Sequence, residues 1–128
     1  EGMKECGLDP TGRTLRCDPT PESAAVRFDE IYDTLKKIDA VITANDVLAA
    51  GVLNVALRRN LKVPEDISIV GYNNSIITQC TTPHLSSIDN GLEQLCNMAV
   101  EGLTKLLHGE SIEGITMVSP HLVLRDTM

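Results

Sequence analysis

Two pairs of adjacent polar residues carry the clearest chemistry in this sequence. Asn45-Asp46 follows the apolar stretch "AVITA", and Asn73-Asn74 follows "ISIVGY". An amide tip offers two donors and two acceptor lone pairs, so such tips suit a molecule rich in hydroxyl groups, such as a sugar. An analogue that lacked a matched hydroxyl would leave a buried amide unpaired, at a cost of about 1–3 kcal/mol. Asn and Asp are also ordinary turn and cap residues, and Asp46 is a credible helix cap, so each pair taken singly is typical of a turn.

Catalytic and metal-binding arrangements are not indicated by the sequence. The histidines are scattered, without a nucleophile or carboxylate at an informative spacing, and Ser86-Ser87 lacks a Gly-x-Ser-x-Gly elbow. The cysteines have wide, irregular spacings, which predicts free thiols in a reducing compartment. We therefore expect no catalytic residue, no metal and no cofactor. The residues concerned are His84, His108, His121, Cys6, Cys17, Cys80 and Cys96.

Composition and charge narrow the class of protein. The 128 residues are 42% hydrophobic but only 2% aromatic, which predicts one domain, or part of one, with an aliphatic core. The net charge is −7, from 18 acidic and 11 basic residues. This balance does not attract nucleic-acid phosphate, so we expect this part of the protein not to touch DNA. The sequence has no long apolar run, and we expect no membrane span.

The apolar pattern alternates between strands and helices. Strands are predicted at Leu15 to Cys17, Ala40 to Thr43, Ile67 to Gly71, Ile115 to Val118 and Leu122 to Leu124. Helices are predicted from Pro21 with a stripe to Ile38, after a cap at Asp46, and after a cap at Asp89 or Asn90 with a stripe to Leu106. This order favours an α/β fold with a mainly parallel sheet, in which ligands bind beyond the carboxyl ends of the strands. The tips of Asn45, Asp46 and Asn73 are therefore expected to meet at one rim of the sheet.

Several segments together resemble one protein family. "DAVITANDVLAAGVLNVALRRNLKVPEDISIVGYNN" is similar to the effector-binding core of LacI/GalR-type bacterial transcription regulators, and "GYNNS" resembles maltose-type members. "TPHLSSID", "EGLTKLLHGE" and "HLVLRDT" resemble later motifs of that family, in the same order. The resemblance implies a periplasmic-binding-protein-like type I fold with two α/β lobes. Residues 1–128 would be most of the second lobe, with the first lobe and a helix-turn-helix domain expected outside this sequence.

The resemblance also implies a set of effector-binding residues, namely Asn45, Asp46, Asn73 and Asn90. Asn73 stands where the family usually has Asp. Asn can donate hydrogen bonds as well as accept them, so this difference bears on which effector binds rather than on where it binds. In the family, the helix from Asn90 to His108 packs in the other lobe.

A dimer interface is implied in the same way. In the family, the helix after the Asn-Asp pair and the loop before Pro-x-Leu meet a second copy. In this sequence these are residues 47–58 and 76–81. The nearly all-apolar helix is expected to lay one face on the sheet and the other on a twofold-related copy. The interface residues expected are Val47, Ala50, Leu53, Asn54, Ile77, Cys80 and Thr81.

The resemblance implies a cytoplasmic, non-enzymatic sensor domain that forms a homodimer. A sugar or sugar phosphate would bind between the lobes, and operator DNA would be bound only through the N-terminal domain outside this sequence. The alternative is a periplasmic sugar-binding protein of a transporter, which shares the fold. "VPEDISIVGYNN" and the Arg-Asp-Thr ending are regulator-like, and four unpaired cysteines fit an exported protein poorly. A helix-turn-helix or a signal peptide upstream would decide between the two.

Overall fold

The computed structural model describes residues 1–35, 38–112 and 114–128. Its helices are α1 (Gly2–Glu5), α2 (Pro21–Tyr32), α3 (Asp46–Arg58), α4 (Ile77–Cys80) and α5 (Leu92–Leu107). Its strands are β1 (Ala40–Ile42), β2 (Ser68–Tyr72), β3 (Ser86–Asp89) and β4 (His121–Val123). None of the helices in the described ranges is both long and apolar enough to span a bilayer.

The described strands form one sheet in the order β1-β2-β3-β4. The first three strands are parallel, and β4 runs antiparallel to β3. This arrangement confirms the mainly parallel α/β sheet predicted from the alternation of elements. It also brings the carboxyl ends of β1, β2 and β3 to the same edge, where the two polar pairs follow their strands.

Two predicted strands are wrong, and one strand was missed. Residues 13–18 and 115–120 are irregular chain, and the short apolar runs there pair with no strand that the structure describes. The missed strand is β3, which begins with Ser86 and Ser87, both 0% exposed. The sequence suggested a loop there because two serines in a row do not resemble a buried strand.

The start of α3 differs from the prediction in its cap residue. Asn45 is the cap, and its Oδ1 accepts a hydrogen bond from the backbone N–H of Leu48 at 2.9 Å. Asp46 is the first helical residue, where a negative charge favours the positive end of the helix. The predicted stop at Asn60 is confirmed, because this residue adopts a left-handed φ of 58°.

The other two long helices also differ from the prediction at their ends. α2 begins as expected, with Thr20 accepting from the N–H of Ser23 at 3.1 Å, but it ends at Tyr32 rather than continuing to Ile38. α5 begins after Gly91, which adopts a left-handed φ of 69°, so neither Asp89 nor Asn90 caps it. Asp89 instead accepts the N–H of Gly91 at 2.7 Å and holds the turn before the helix.

The core lies between the sheet and the pair α2 and α3. Its largest fully buried side chains include Phe28, Ile67, Ile69 and Leu85. The two helices approach so closely that a Cβ on Gly51 would lie 2.1 Å from the Pro21 carbonyl oxygen. α3 is thus covered by the sheet on one side and by α2 of the same chain on another. The expectation that another face of α3 meets a twofold-related copy stays a prediction, and α2 takes part of the surface of α3 that was available for it.

α5 has an apolar stripe that the described part of the chain leaves uncovered. None of the residues of this helix is buried, and Leu103, Leu106 and Leu107 are 58%, 54% and 78% exposed. This exposure agrees with the expectation that α5 packs elsewhere in a complete protein.

Candidate functional site

The chain turns sharply at Asn73 and Asn74, directly after β2. Both residues have left-handed backbones, with φ of 95° and 49°. Asn adopts this region more readily than most residues with a side chain, which gives part of the reason for the two amides. The N–H of Asn73 donates to the carbonyl of Ile88 at 2.9 Å, which holds the turn against β3. The turn interpretation is therefore correct, and it leaves the Asn73 side chain exposed at the rim.

Asn73 and Asn90 meet at this rim. Asn90 Nδ2 donates to Asn73 Oδ1 at 3.0 Å. Asn90 Oδ1 is buried and has no hydrogen-bond partner among the residues that the structure describes. The Asn73 amide nitrogen donates to none of the residues that the structure describes, so it can donate to a ligand. The pair thus combines an available donor with a buried acceptor that is not yet used.

An open cavity of about 1230 Å³ extends from these two amides towards α5. Its lining is rich in groups that form hydrogen bonds, and its charged members are mainly acidic. Of the described residues that line it, none is Lys or Arg. The polar and charged lining residues are Asn73, Asn74, Ser75, Asp89, Asn90, Glu93, Gln94, Asn97, Glu101 and His121.

Asp46 does not face this cavity. It is 1% exposed, and both carboxylate oxygens bond within the protein. Oδ2 accepts from the N–H of Ser75 at 2.6 Å, and Oδ1 accepts from the Ser87 hydroxyl at 2.5 Å. A Cβ on Gly71 would lie 2.2 Å from Oδ1, so the carboxylate fits only beside a glycine. This geometry corrects the expectation that the Asp46 tip faces a ligand, and Asp46 instead ties α3 to the turn after β2.

Asn45 lies at the same edge of the sheet but is not among the residues lining the cavity. Its side-chain oxygen caps α3, which leaves its amide nitrogen as the group able to donate elsewhere. The structure therefore brings together Asn73 and Asn90, whereas the Asp46 carboxylate is buried and bonded to Ser75 and Ser87. Effector contact by Asn45, Asn73 and Asn90 stays a prediction.

Sequence reasoning missed Asp89 and Arg125 as neighbours of this site. Asn74 Nδ2 donates to Asp89 Oδ2 at 2.9 Å, and Arg125 Nη2 donates to Asn74 Oδ1 at 2.7 Å. The bond from Asn74 lowers the pKa of Asp89 below its usual value, with further lowering by the Gly91 N–H and by the electrostatic interaction with His121. The double Asn at 73–74 signalled the position of the site, but residue 125 is distant in sequence and only the fold brings it near.

The predicted dimer residues fall into three groups by exposure. Val47, Ala50, Ile77 and Thr81 are half-buried, and Asn54 and Cys80 are exposed. Leu53 is 2% exposed and lies in the core, so it presents no surface to a second copy, and this assignment is corrected. The remaining six residues stay a prediction.

The described residues contain no disulfide and no group able to hold a metal ion, and Ser86 and Ser87 have structural hydrogen bonds. All four cysteines are free and exposed, and the described residues contain no group of His, Cys, Asp and Glu able to hold a metal ion. Ser86 Oγ accepts from the N–H of Arg125, and the Ser87 hydroxyl donates to Asp46. Both serines therefore serve the packing of β3.

Comparison with known proteins places this geometry in a family. A family model described as a periplasmic binding protein-like domain matches residues 1–128. An HTH-type transcriptional regulator of Lachnoclostridium phytofermentans is 42% identical over 89 residues, which cover 70% of this chain and 27% of that protein. Catabolite control protein A of Staphylococcus aureus is 30% identical over 128 residues, which cover 96% of this chain and 37% of that protein.

Two solved structures share the fold over 98% of this chain. The transcriptional regulator CelR in complex with cellobiose has a TM-score of 0.85 and 26% identity, and the match covers 39% of its chain. A LacI family transcriptional regulator from Arthrobacter sp. FB24 in complex with lactose has a TM-score of 0.86 and 27% identity, and the match covers 47% of its chain. The chain thus spans less than half the length of each of these proteins. It belongs to the periplasmic binding protein-like domain family and, within that family, is of the type found in LacI-family transcriptional regulators.

Proposed function

We propose that this chain is the effector-sensing part of a DNA-binding transcriptional regulator and that its effector is a sugar. The observation that carries the proposal is the Asn73–Asn90 pair, in which one donor and one buried acceptor have no partner among the residues that the structure describes. One sugar hydroxyl can accept from the Asn73 amide nitrogen, and another can donate to Asn90 Oδ1 once that buried oxygen turns towards the cavity. The cellobiose and lactose complexes of the two structural relatives support this ligand class.

The charge of the cavity favours a neutral sugar over a sugar phosphate. Asp89, Glu93 and Glu101 line the described wall, and His121 is the one group there that can become positive. A phosphate brought to this wall would meet like charge, and such repulsion is strongest at low ionic strength. A neutral polyol avoids this cost.

The proposal also includes the oligomeric state of the regulator and its DNA-binding domain. The chain would be the second-lobe portion of a cytoplasmic, non-enzymatic homodimer whose operator-binding domain lies outside this sequence. The regulator names of the relatives favour this function over a transporter's binding protein. Ligand binding would change lobe closure only to the extent that the effector binds the two states unequally.

A ligand screen of the intact regulator tests this function. Thermal shifts against neutral sugars and their phosphates, followed by calorimetry of the hits, should find a neutral sugar that binds more tightly than its phosphate. Asn73→Ala should then weaken binding of that sugar by about tenfold or more, since it removes a hydrogen bond and unpairs Asn90.

The control for this test is Glu65→Gln, an exposed residue in the turn before β2. It should leave the sugar affinity unchanged. The proposal fails if no sugar binds the intact protein, or if Asn73→Ala binds the hit as tightly as the control does. Recovery of a chemically altered sugar would point to an enzyme instead.

A further inference from the structure

Arg125 reaches across the sheet to the turn that carries the candidate site. It lies just after β4 and is half-buried. Its backbone N–H donates to Ser86 Oγ at 2.9 Å, and its Nη1 donates to the carbonyl of Leu85 at 2.8 Å. Its Nη2 donates to Asn74 Oδ1 at 2.7 Å. The guanidinium thus joins the start of β3 to the end of β2.

Asn74 in turn bonds to Asp89, the last residue of β3 before α5. Its Nδ2 donates to Asp89 Oδ2 at 2.9 Å, and Asp89 Oδ1 accepts from the N–H of Gly91 at 2.7 Å. The backbone N–H of Asn74 donates to Ser87 Oγ at 3.1 Å. The amide orientation is therefore determined, because its oxygen faces a donor and its nitrogen faces an acceptor.

This chain of bonds flanks both residues of the candidate effector pair. Asn73 is joined directly to Asn74, and Asn90 lies between Asp89 and Gly91. The left-handed backbone at residues 73 and 74 persists only where the surroundings hold it. A loss of the bond from Arg125 would therefore change the positions of the Asn73 and Asn90 amides. Arg125 itself is not among the residues lining the cavity.

We infer that Arg125 is a positioning residue for the effector site, acting through Asn74 to hold the Asn73–Asn90 pair in place. This inference rests on the proposed function of that site. The planar guanidinium fork reaches two acceptors at once, namely the Leu85 carbonyl just before β3 and the Asn74 amide oxygen in the turn after β2. A lysine has one nitrogen at the end of a flexible chain and replaces this geometry poorly.

The test combines a variant series of Arg125 with a double-mutant cycle in the intact protein. For the sugar found in the screen, Arg125→Met should raise the Kd about tenfold, and Arg125→Lys should raise it less. In an Asn73→Ala background, Arg125→Met should add little further loss, because the contact that it positions is already gone. Arg16→Met, at an exposed arginine of the irregular N-terminal segment, should leave the Kd unchanged.

A second measurement needs no ligand. Amide hydrogen exchange of residues 72–76 should become faster in Arg125→Met and stay unchanged in Arg16→Met. An unchanged Kd in Arg125→Met overturns the inference, and so does an equal fold-loss with and without Asn73, since that result indicates a general structural role. If wild-type protein binds no sugar, the proposed function fails, and unchanged exchange at residues 72–76 would then overturn the positioning role separately. If Arg125→Met does not fold, Arg125→Lys carries the same comparisons.

Discussion

The buried carboxylate of Asp46 makes the sharpest prediction about stability. Asp46→Ala removes two hydrogen bonds, one from the Ser75 N–H at 2.6 Å and one from the Ser87 hydroxyl at 2.5 Å. Hydrogen bonds to a charged group contribute about 1.5–3 kcal/mol each. The Ser87 hydroxyl can rotate about its C–O bond, whereas the direction of the Ser75 N–H is fixed by the backbone. The expected loss in the free energy of unfolding is therefore about 3–5 kcal/mol.

Asp46→Asn is the informative comparison for this variant. It has the same shape, and its carbonyl oxygen can still accept from the Ser75 N–H. Its new NH₂ group would face Ser87 Oγ, which has lone pairs able to accept once the hydroxyl turns. We expect this variant to lose only about 1–2 kcal/mol, and Glu65→Ala on the exposed turn to lose less than about 0.5 kcal/mol.

Denaturant unfolding followed by circular dichroism measures these losses in the intact protein. Hydrogen exchange of residues 67–75 assigns the change to this domain, because unfolding of a larger protein need not be two-state. The reasoning is refuted if Asp46→Ala costs less than about 1 kcal/mol, or if Asp46→Asn costs as much as Asp46→Ala.

Two further predictions concern the packing of the core and the loss of stability at acidic pH. Phe28 is 2% exposed between α2, α3 and the sheet, so Phe28→Ala should cost about 3–5 kcal/mol in denaturant unfolding, and a loss below about 1 kcal/mol would contradict the packing described. The pKa of Asp89 is lowered below 3.8 by its bond from Asn74, so its stabilising contribution is complete above that value and is lost as pH falls through the lowered pKa. Asp89→Asn should therefore be less stable than wild type at neutral pH, with the difference shrinking below about pH 4 in thermal melts. An equal difference in melting temperature between wild type and Asp89→Asn at pH 3 and pH 7 would refute this role of Asp89.

The elements nearest the site could be predicted from local pattern. "ISIVGY" indicated β2, and the apolar residues after Asn45-Asp46 indicated α3, because burial of strands and amphipathic helices leaves periodic traces in a sequence. The placement of both polar pairs at one edge followed from the parallel order of the strands. The resemblance to LacI/GalR-type regulators added the candidate residue Asn90, which the structure places beside Asn73.

The direction of individual polar side chains could not be predicted in this way. Asn45 and Asp46 are adjacent at a helix start, where either can cap, and the outcome depends on Ser75, Ser87 and Gly71 on other elements. β3 was missed for a related reason. Its first serine is buried because Thr127 and Arg125, about 40 residues away in sequence, bond to it.

The α/β class and the edge of the sheet at which polar groups collect could be read from the sequence, because they depend on hydrophobic periodicity and on residue types close together in the chain. The family could be read from the resemblance of several motifs in their order. The fold was needed to show that Asp46 faces inward, that Leu53 belongs to the core, and that Arg125 donates a hydrogen bond to Asn74. A polar or apolar side chain contacts the partner that the fold brings within reach. For these three residues the partners lie on elements distant in the chain, so local sequence does not reveal them.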